Sequence, residues 1–236
     1  MTGEIDFSRF EAVTFDCYGT LIDWEQGILN ALQPVLAPHG SEAGEDELLE
    51  SYAHHEAALE AGDYMPYRNV LAGSLRGLCA ELGFSTSDDD AHGFAQAVGD
   101  WPAFHDSAPA LRRLQERFRL GVITNCDRDL FALSNRRLGV TFDWVVTAED
   151  ARAYKPSQIP FDLAFETINV PRERILHVAQ SLFHDHVPAK QLGLTTVWVD
   201  RRHGRPGSGA TRPASATPDW TVPDMRTFAD VAVRIH

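Results

Sequence analysis

The strongest constraint on this chain comes from residues 15–23, which read FDCYGTLID. The preceding residues 12–14 are Ala, Val and Thr, and together with Phe15 they have the composition of a short buried strand. This run ends abruptly at a carboxylate, Asp16, and Gly19 permits a tight backbone turn shortly afterwards. The pattern therefore predicts that Asp16 lies at the carboxyl end of a strand, the edge of an open α/β sheet where ligands bind.

Length, charge and composition limit the kinds of protein that this chain can be. Its 236 residues exceed one typical domain, and 44% of them are hydrophobic, which is enough for a packed core. A net charge of -13 disfavours nucleic-acid binding, because the phosphate backbone is also negative. No apolar run could span a bilayer, and residues 1–10 lack a signal-peptide pattern. With three cysteines that cannot all pair, we expect a soluble cytoplasmic protein without a membrane or nucleic-acid partner.

The order of apolar patterns along the chain predicts its fold. Between residues 24 and 101 apolar residues recur at helical spacing in four segments, and no stretch has a strand pattern. Four short apolar runs then alternate with helical patterns: residues 120–123, 144–146, 175–178 and 196–199. Strands that alternate with helices favour a parallel sheet. We therefore predict an α/β fold with a Rossmann-like core, residues 1–22 and 102–236, and an all-helical insertion, residues 23–101.

Four short motifs give the chain a resemblance to a known family. Residues 15–23 resemble the first motif of the haloacid dehalogenase (HAD) superfamily, and the form Asp-x-Tyr-Gly-Thr is similar in particular to the 2-haloacid dehalogenase branch. Thr124-Asn125, Tyr154-Lys155-Pro156 and residues 178–185 resemble the second, third and fourth motifs. The resemblance covers nearly the whole chain and is weakest within residues 23–101, which it implies to be a helical cap domain.

The resemblance implies a catalytic set of five residues. Asp16 would be a covalent nucleophile, a role that suits a carboxylate that is fixed, partly desolvated and flanked by positive charge. Thr20 would hold Asp16 by a hydrogen bond, and the hydroxyl of Thr124 would bond the nucleophile or the anionic group of the substrate. Lys155 would lie within about 4 Å of Asp16 and keep it ionised. Asp185 would pair with Lys155 and orient or deprotonate the hydrolytic water.

Two positions distinguish this chain from the phosphatases of the superfamily, which carry aspartates there. Tyr18 cannot match the proton transfer of an aspartate, since the pKa of tyrosine is about 10. Gln180 removes a carboxylate that Mg²⁺ would require. We therefore expect a metal-independent enzyme without a cofactor. His184 and His186 flank Asp185 at a helix start and point in different directions, so we interpret them as local polar contacts rather than metal ligands.

The candidate substrate-binding residues are Tyr18, Asn125, Tyr67, Arg68 and Gln180. Tyr67 falls roughly where the dehalogenases use a phenylalanine, and Arg68 could take over anion binding. In those enzymes a cap arginine near the start of the second cap helix is implicated in halide binding, but residues 48–52, LLESY, contain none. Leu182 and His184 also replace an asparagine and a tryptophan of the fourth motif. These departures leave the nucleophile intact and put the leaving group in doubt. Asp127 and Asp129 are interpreted as capping the following helix.

We therefore predict a metal-independent hydrolase similar to the (S)-2-haloacid dehalogenases. It would displace a leaving group, halide by resemblance, from C2 of a small carboxylic acid through an aspartyl ester that water then hydrolyses. Two alternatives stay open: a non-halogenated small acid as substrate, such as one with a strained ring amine, and a phosphatase. A binding module without turnover is disfavoured, because all five catalytic residues are present. Analogy with the family also allows a homodimer.

Overall fold

The computed structural model describes residues 5–205 and 209–234. The strands in these residues are β1 (Ala12–Phe15), β2 (Arg119–Thr124), β3 (Trp144–Thr147), β4 (Ile175–Ala179), β5 (Thr195–Val199) and β6 (Trp220–Val222). They form one parallel sheet in the order β3-β2-β1-β4-β5-β6. The predicted α/β fold with a parallel sheet is confirmed. β6 was not predicted, because three residues are too few to show a strand period.

β1 lies in the middle of the sheet and is the reference point for the site. It pairs with β2 on one side and with β4 on the other, so the strand order reverses beside it. Its residues are all buried, with Val13 and Phe15 in one apolar cluster and Ala12 in a second. Alternate residues of a strand face opposite sides, so apolar layers cover both faces of the sheet. Asp16 therefore enters the crevice that forms where the strand order reverses.

Helices fill the connections between the strands. The α-helices of the described residues are α1 (Trp24–Leu36), α2 (Glu45–Glu60), α3 (Tyr67–Glu81), α4 (Asp88–Gln96), α5 (Ser107–Gln115), α6 (Arg128–Leu138), α7 (Ala148–Ala151), α8 (Ile159–Ile168), α9 (Val187–Gln191) and α10 (Met225–Ala232). A π-helical turn, Leu182–His186, precedes α9. Residues 204–205 and 209–217 contain no helix or strand. No described helix is long and apolar enough to cross a membrane.

Residues 24–100, hereafter the helical insert, contain α1 to α4 and two 3-10 turns, Ala37–His39 and Ala97–Asp100, and their described backbone includes no strand. The chain leaves the sheet and returns to it at adjacent points. The backbone N–H of Asp23 donates to the carbonyl of Pro102 at 2.8 Å, and that of Phe104 donates to the carbonyl of Leu21 at 3.1 Å. The helical insert is thus attached beside the loop that carries Asp16.

Asp127 connects the helical insert to the sheet a second time. Its carboxylate accepts the backbone N–H groups of Tyr67, at 2.8 Å, and Arg68, at 3.1 Å, in the first turn of α3. Asp127 is the N-cap residue of α6, yet its side chain makes no capping hydrogen bond there. The interpretation that Asp127 caps its own following helix is therefore wrong. Its carboxylate caps a helix of the insert, because Pro66 at the N-cap of α3 offers no side-chain acceptor.

We predict that Gly27→Ala destabilises the protein by about 1–3 kcal/mol, the usual cost of overpacking a filled core. A Cβ at Gly27 in α1 would lie 2.3 Å from Cγ of Trp101, which is 1% exposed. Gly93→Ala in α4 is the matched control, since nothing lies within 4 Å of its added Cβ. The control should gain up to about 1 kcal/mol from helix propensity. Urea denaturation measures both, and equal stability of the two variants would contradict the packing described here.

Candidate active site

The nucleophile candidate Asp16 is held by both its backbone and its carboxylate. Its N–H donates to the carbonyl of Val178 at 3.1 Å, which extends the β1–β4 pairing by one residue. Thr20 Oγ1 donates to Oδ2 at 2.7 Å and Lys155 Nζ donates to Oδ1 at 2.9 Å. Gly19 has a φ of +92°, the left-handed region that favours glycine, and the loop turns there so that Thr20 reaches back. Asp16 is therefore fixed in one orientation.

Lys155 is the central charge of the site. Its ammonium donates to Asp16 Oδ1, to Asp185 Oδ1 at 2.7 Å and to the carbonyl of Ile123 at 2.8 Å, which uses all three of its N–H donors. The side chain is 1% exposed. Burial alone would lower the pKa of Lys155, but the two carboxylates raise it above the ordinary 10.5. The ammonium is therefore charged across the physiological pH range.

The two aspartates that share Lys155 differ in their ionisation. Burial raises the pKa of Asp16 above its usual 3.8, although the ammonium of Lys155 opposes this. Burial also opposes the ionisation of Asp185, but Lys155 and the hydrogen bond from His177 together hold the pKa of Asp185 well below its usual range. Asp185 is thus a firmly ionised carboxylate, whereas Asp16 is a desolvated one. Poor solvation is what makes a carboxylate a usable nucleophile.

Asn125 and Thr124, at the carboxyl end of β2, are placed differently from one another. Asn125 fixes the loop of Lys155: its Oδ1 accepts the N–H of Lys155 at 2.7 Å and its Nδ2 donates to the Lys155 carbonyl at 3.0 Å. Thr124 Oγ1 is buried and has no hydrogen-bond partner among the described residues, Asp16 included. Thr124 is not among the residues that line the cavity over Asp16, so its bond to a substrate stays a prediction.

A small cavity lies over the carboxylate of Asp16. Its lining comprises Asp16, Tyr18, Trp24, Glu56, Glu60, Tyr67, Asn125, Lys155, Ser181, His184, Asp185 and Thr211. The hydroxyl of Tyr18 hydrogen-bonds Ser134 Oγ at 2.9 Å, and the hydroxyl of Tyr67 donates to Glu56 at 2.8 Å. Both hydroxyls are thus engaged with the protein. The aromatic rings of Tyr18 and Tyr67 remain as the surfaces that these residues offer to a substrate.

Two predicted substrate-binding residues lie outside this cavity. The guanidinium of Arg68 contacts Asp127 at 3.2 Å and Asp129 at 2.6 Å, so it joins the helical insert to the sheet and is not placed to bind an anion over Asp16. Gln180 acts through its backbone, since its N–H donates to Thr20 Oγ1 at 2.9 Å. The side chain of Gln180 lines a different pocket, beside Gly19.

His177 belongs to the site although the sequence pattern indicated only a strand residue. It is fully buried on β4, and its Nε2 contacts Asp185 Oδ1 at 3.1 Å while its Nδ1 contacts Thr14 Oγ1 at 2.9 Å. A nitrogen that faces a carboxylate is assigned as the donor, which makes Nδ1 of a neutral ring the acceptor from Thr14. A polar residue inside the apolar run ILHVA was the available signal.

Glu56 and Glu60 were also missed, because charged residues of a helix are normally exposed to solvent. They follow Tyr52 at successive spacings of four in α2, so the three side chains share one face, and that face lines the cavity. Glu56 is 3% exposed, and the side chain of Glu60 is 6% exposed. The helical insert therefore contributes two buried carboxyl groups directly opposite the ammonium and carboxylates of the sheet edge.

The described residues contain no group of three or more His, Cys, Asp or Glu side chains arranged to hold a metal ion. His186 Nε2 lies 3.0 Å from the carbonyl of Ala179, and His184 Nδ1 lies 3.3 Å from Ser181 Oγ. The two rings thus make separate local polar contacts. Independence from a metal stays a prediction that requires a chelation experiment.

Comparisons with known proteins agree with this geometry. A family model described as haloacid dehalogenase-like hydrolase matches residues 10–185. An (S)-2-haloacid dehalogenase of Pseudomonas fluorescens is 26% identical over 83% of this chain and 87% of its own, and haloacetate dehalogenase H-2 of Moraxella sp. (strain B) is 26% identical over 92% and 95%. The solved L-2-haloacid dehalogenase of Xanthobacter autotrophicus superposes with a TM-score of 0.79 at 21% identity, covering 94% of this chain and 98% of that one.

We predict that Lys155→Met destabilises the fold by about 3–5 kcal/mol near neutral pH, because two buried carboxylates then lack their cation. Without the ammonium, burial raises the folded-state pKa of Asp16 and Asp185 above the unfolded value near 4. Such groups cost stability as the pH rises, so the deficit should shrink as the pH falls towards about 4.5. Denaturant titrations at several pH values measure this.

Lys190→Met is the matched control for that experiment. Lys190 pairs with Asp219 at 2.6 Å on the protein surface, and the loss of such a pair costs less than about 1 kcal/mol. A deficit in Lys155→Met that does not depend on pH would contradict the charge arrangement.

Proposed function

Because the chain belongs to the haloacid dehalogenase-like hydrolase family, we propose that this hydrolase displaces a leaving group from C2 of a small carboxylic acid by the nucleophilic attack of Asp16. The observation that supports this most directly is the buried Lys155 ammonium between Asp16 and Asp185 at the carboxyl edge of the sheet. The relatives named as 2-haloacid dehalogenases indicate halide as the first leaving group to test.

The first step needs a carboxylate that is aimed and poorly solvated. Thr20 and Lys155 each hold one oxygen of Asp16, which fixes the approach of the attacking oxygen to C2. One Asp16 oxygen forms a bond to C2 as the bond from C2 to the leaving group breaks. A single in-line displacement inverts the configuration at C2. A bond from the Thr124 hydroxyl to the substrate carboxylate stays a prediction, because Thr124 does not line the cavity.

The second step is hydrolysis of the aspartyl ester. Asp185 Oδ2 is buried, lines the cavity and has no partner among the described residues, so it can accept a proton from the attacking water. His177 and Lys155 hold the other oxygen of Asp185 and fix its orientation. The Lys155 ammonium offsets the negative charge that develops on the Asp16 carbonyl oxygen. Water therefore enters at the carboxyl carbon of Asp16 and not at C2.

The helical insert is proposed to act as a cap domain, corresponding to residues 23–101, over a core of residues 1–22 and 102–236. The cavity is lined from both the helical insert and the sheet edge, so we propose that a substrate enters when the two parts separate. We also propose that turnover needs no metal and that the enzyme acts in the cytoplasm. A homodimer stays a prediction.

We predict halide release from one enantiomer of 2-chloropropionate, undiminished by EDTA and reduced by at least about 10³-fold in Asp16→Asn, which removes the nucleophile. Multiple turnovers in ¹⁸O-labelled water should place label on the peptide that contains Asp16, as read by mass spectrometry. Asp162 is an exposed carboxylate on α8, and the control variant Asp162→Asn should release halide at the wild-type rate. Full activity in Asp16→Asn, or an unlabelled peptide after many turnovers, would exclude the aspartyl-ester route.

A further inference from the structure

The side of the cavity formed by the helical insert carries two carboxyl groups and no cation. The lining residues contain one Lys or Arg side chain, Lys155, and its three donors are already used within the sheet edge. From α2 the cavity receives the carboxyl groups of Glu56 and Glu60. A departing halide leaves as a stable anion and needs no proton, whereas a leaving atom that must be protonated requires a proton donor.

Glu60 is placed so that its carboxyl group favours the protonated form. It is the last residue of α2, where the partial negative charge of the helix end disfavours an anion, and the last turn contains no basic residue. Asn125 Nδ2 donates to its two oxygens at 3.3 and 3.4 Å, a long contact that favours the anion and opposes the effect of burial. His184 Nε2 lies 3.6 Å away. Burial lowers the pKa of His184 to about 4, so the ring is neutral at pH 7 and forms no ion pair with Glu60.

Glu56 is placed so that its carboxyl group favours the ionised form. Its Oε1 accepts hydroxyl hydrogens from Tyr52 and Tyr67, each at 2.8 Å, and donors of this kind stabilise a carboxylate. Burial nevertheless raises the pKa of Glu56 to about 7. Burial and the neighbouring Glu56 charge raise the pKa of Glu60 well above 4.5. Two buried carboxyl groups one helical turn apart disfavour each other's ionisation. Glu60, at the helix end and without the two hydroxyl donors of Glu56, is the better place for a proton.

We propose that the protonated carboxyl group of Glu60 is a general acid for the leaving atom, and that this site opens a strained cyclic ether on C2 of a small carboxylic acid. The inference rests on the proposed attack by Asp16. It specifies the class of substrate: an oxirane-2-carboxylate, whose ring oxygen departs poorly as an alkoxide and readily as an alcohol. An unpartnered, buried His184 Nε2 beside Glu60 offers that ring oxygen a second polar contact.

The steps balance without any further reactant. An Asp16 oxygen bonds to C2, the bond from C2 to the ring oxygen breaks, and its electron pair takes the proton of Glu60 to give a hydroxyl on C3. Water then attacks the carbonyl carbon of the Asp16 ester while Asp185 accepts one of its protons. The bond from that carbon to the oxygen on C2 breaks, and the C2 oxygen takes the proton from Asp185 to become a hydroxyl. The regenerated Asp16 carboxyl group loses its proton, which passes through solvent to Glu60 as the product leaves. The net change is the addition of one water to the ring, which gives a 2,3-dihydroxy carboxylate.

Glu60 and Glu56 are the groups on the insert side of the cavity that can change charge near neutral pH. The titratable groups that face Glu60 are Glu56 and Tyr52 from α2, and Tyr154, Lys155 and His184 from the sheet side. Burial raises the pKa of both tyrosines, the two aspartates raise that of Lys155, and burial lowers that of His184. Ionisation of Asp16 affects halide release and ring opening alike, which makes halide release the internal control.

The test compares oxirane-2-carboxylate hydrolysis with chloride release from 2-chloropropionate between about pH 5 and pH 9. In the wild type, ring opening should decline as the pH rises through the titration of the glutamate pair, because the acid form is consumed, while chloride release should not show this decline. Glu60→Gln should lower ring opening by about 10²–10⁴-fold and abolish its decline with pH, and should change chloride release by less than about tenfold. Glu50 is exposed on the same helix, α2, and the control variant Glu50→Gln should leave the rates of both reactions unaltered.

The outcomes separate this inference from the function on which it rests. Chloride release without ring opening by the wild type would overturn the inference and leave the proposed function standing. An equal loss of both reactions in a folded Glu60→Gln variant would have the same meaning. Ring opening without chloride release would support the inference and exclude halide as the leaving group. Failure of both substrates with well-folded wild type would reject the proposed function and this inference together. Thermal melting of each variant verifies its fold.

Discussion

The site depends on one buried ammonium, because neither Asp16 nor Asp185 could stay charged beside the other without Lys155. The three side chains come from the ends of different elements: Asp16 follows β1, Asp185 lies after β4, and Lys155 lies on the loop after α7. They meet only when β1 is between β2 and β4. One cation against two carboxylates leaves an excess of negative charge, and the Thr20 hydroxyl and the His177 ring offset it with hydrogen bonds.

The excess of negative charge has a consequence for the opposite wall of the cavity. The carboxyl groups of Glu56 and Glu60 enter the same poorly solvated space from α2, and no arginine or second lysine accompanies them among the lining residues. Full ionisation of all four carboxyl groups against one ammonium is unfavourable in such a space. On the inference drawn above, the insert side, the upper wall of the cavity, retains a proton at neutral pH. The sheet side, the lower wall, is anionic and carries the proposed nucleophile.

Much of the lower wall could be predicted from the sequence, because polar residues directly after apolar runs converge at the carboxyl edge of a parallel sheet. Asp16 directly after β1 and Asn125 directly after β2 are examples, whereas Lys155 and Asp185 were predicted from the resemblance of their motifs. The upper wall could not be predicted in the same way. The pairing of Arg68 with Asp127 and Asp129 and the burial of Glu60 depend on how α2 and α3 dock against the sheet. That docking joins residues about 60 positions apart, and no local period encodes it.

Docking of the helical insert and closure of the cavity depend on the same contacts. The hydroxyl of Tyr154, one residue before Lys155, donates to the carbonyl of Met65 at 2.8 Å. Asp127 caps α3 at the backbone N–H of Tyr67, whose ring lines the cavity. The proposed separation of the insert would exchange these hydrogen bonds for bonds to water, at about 0.5–1.5 kcal/mol each. The backbone bonds at Asp23 and Pro102 lie at the attachment itself and can persist. In that proposal, the contacts that open are those of residues 65–68, where α2 and α3 meet.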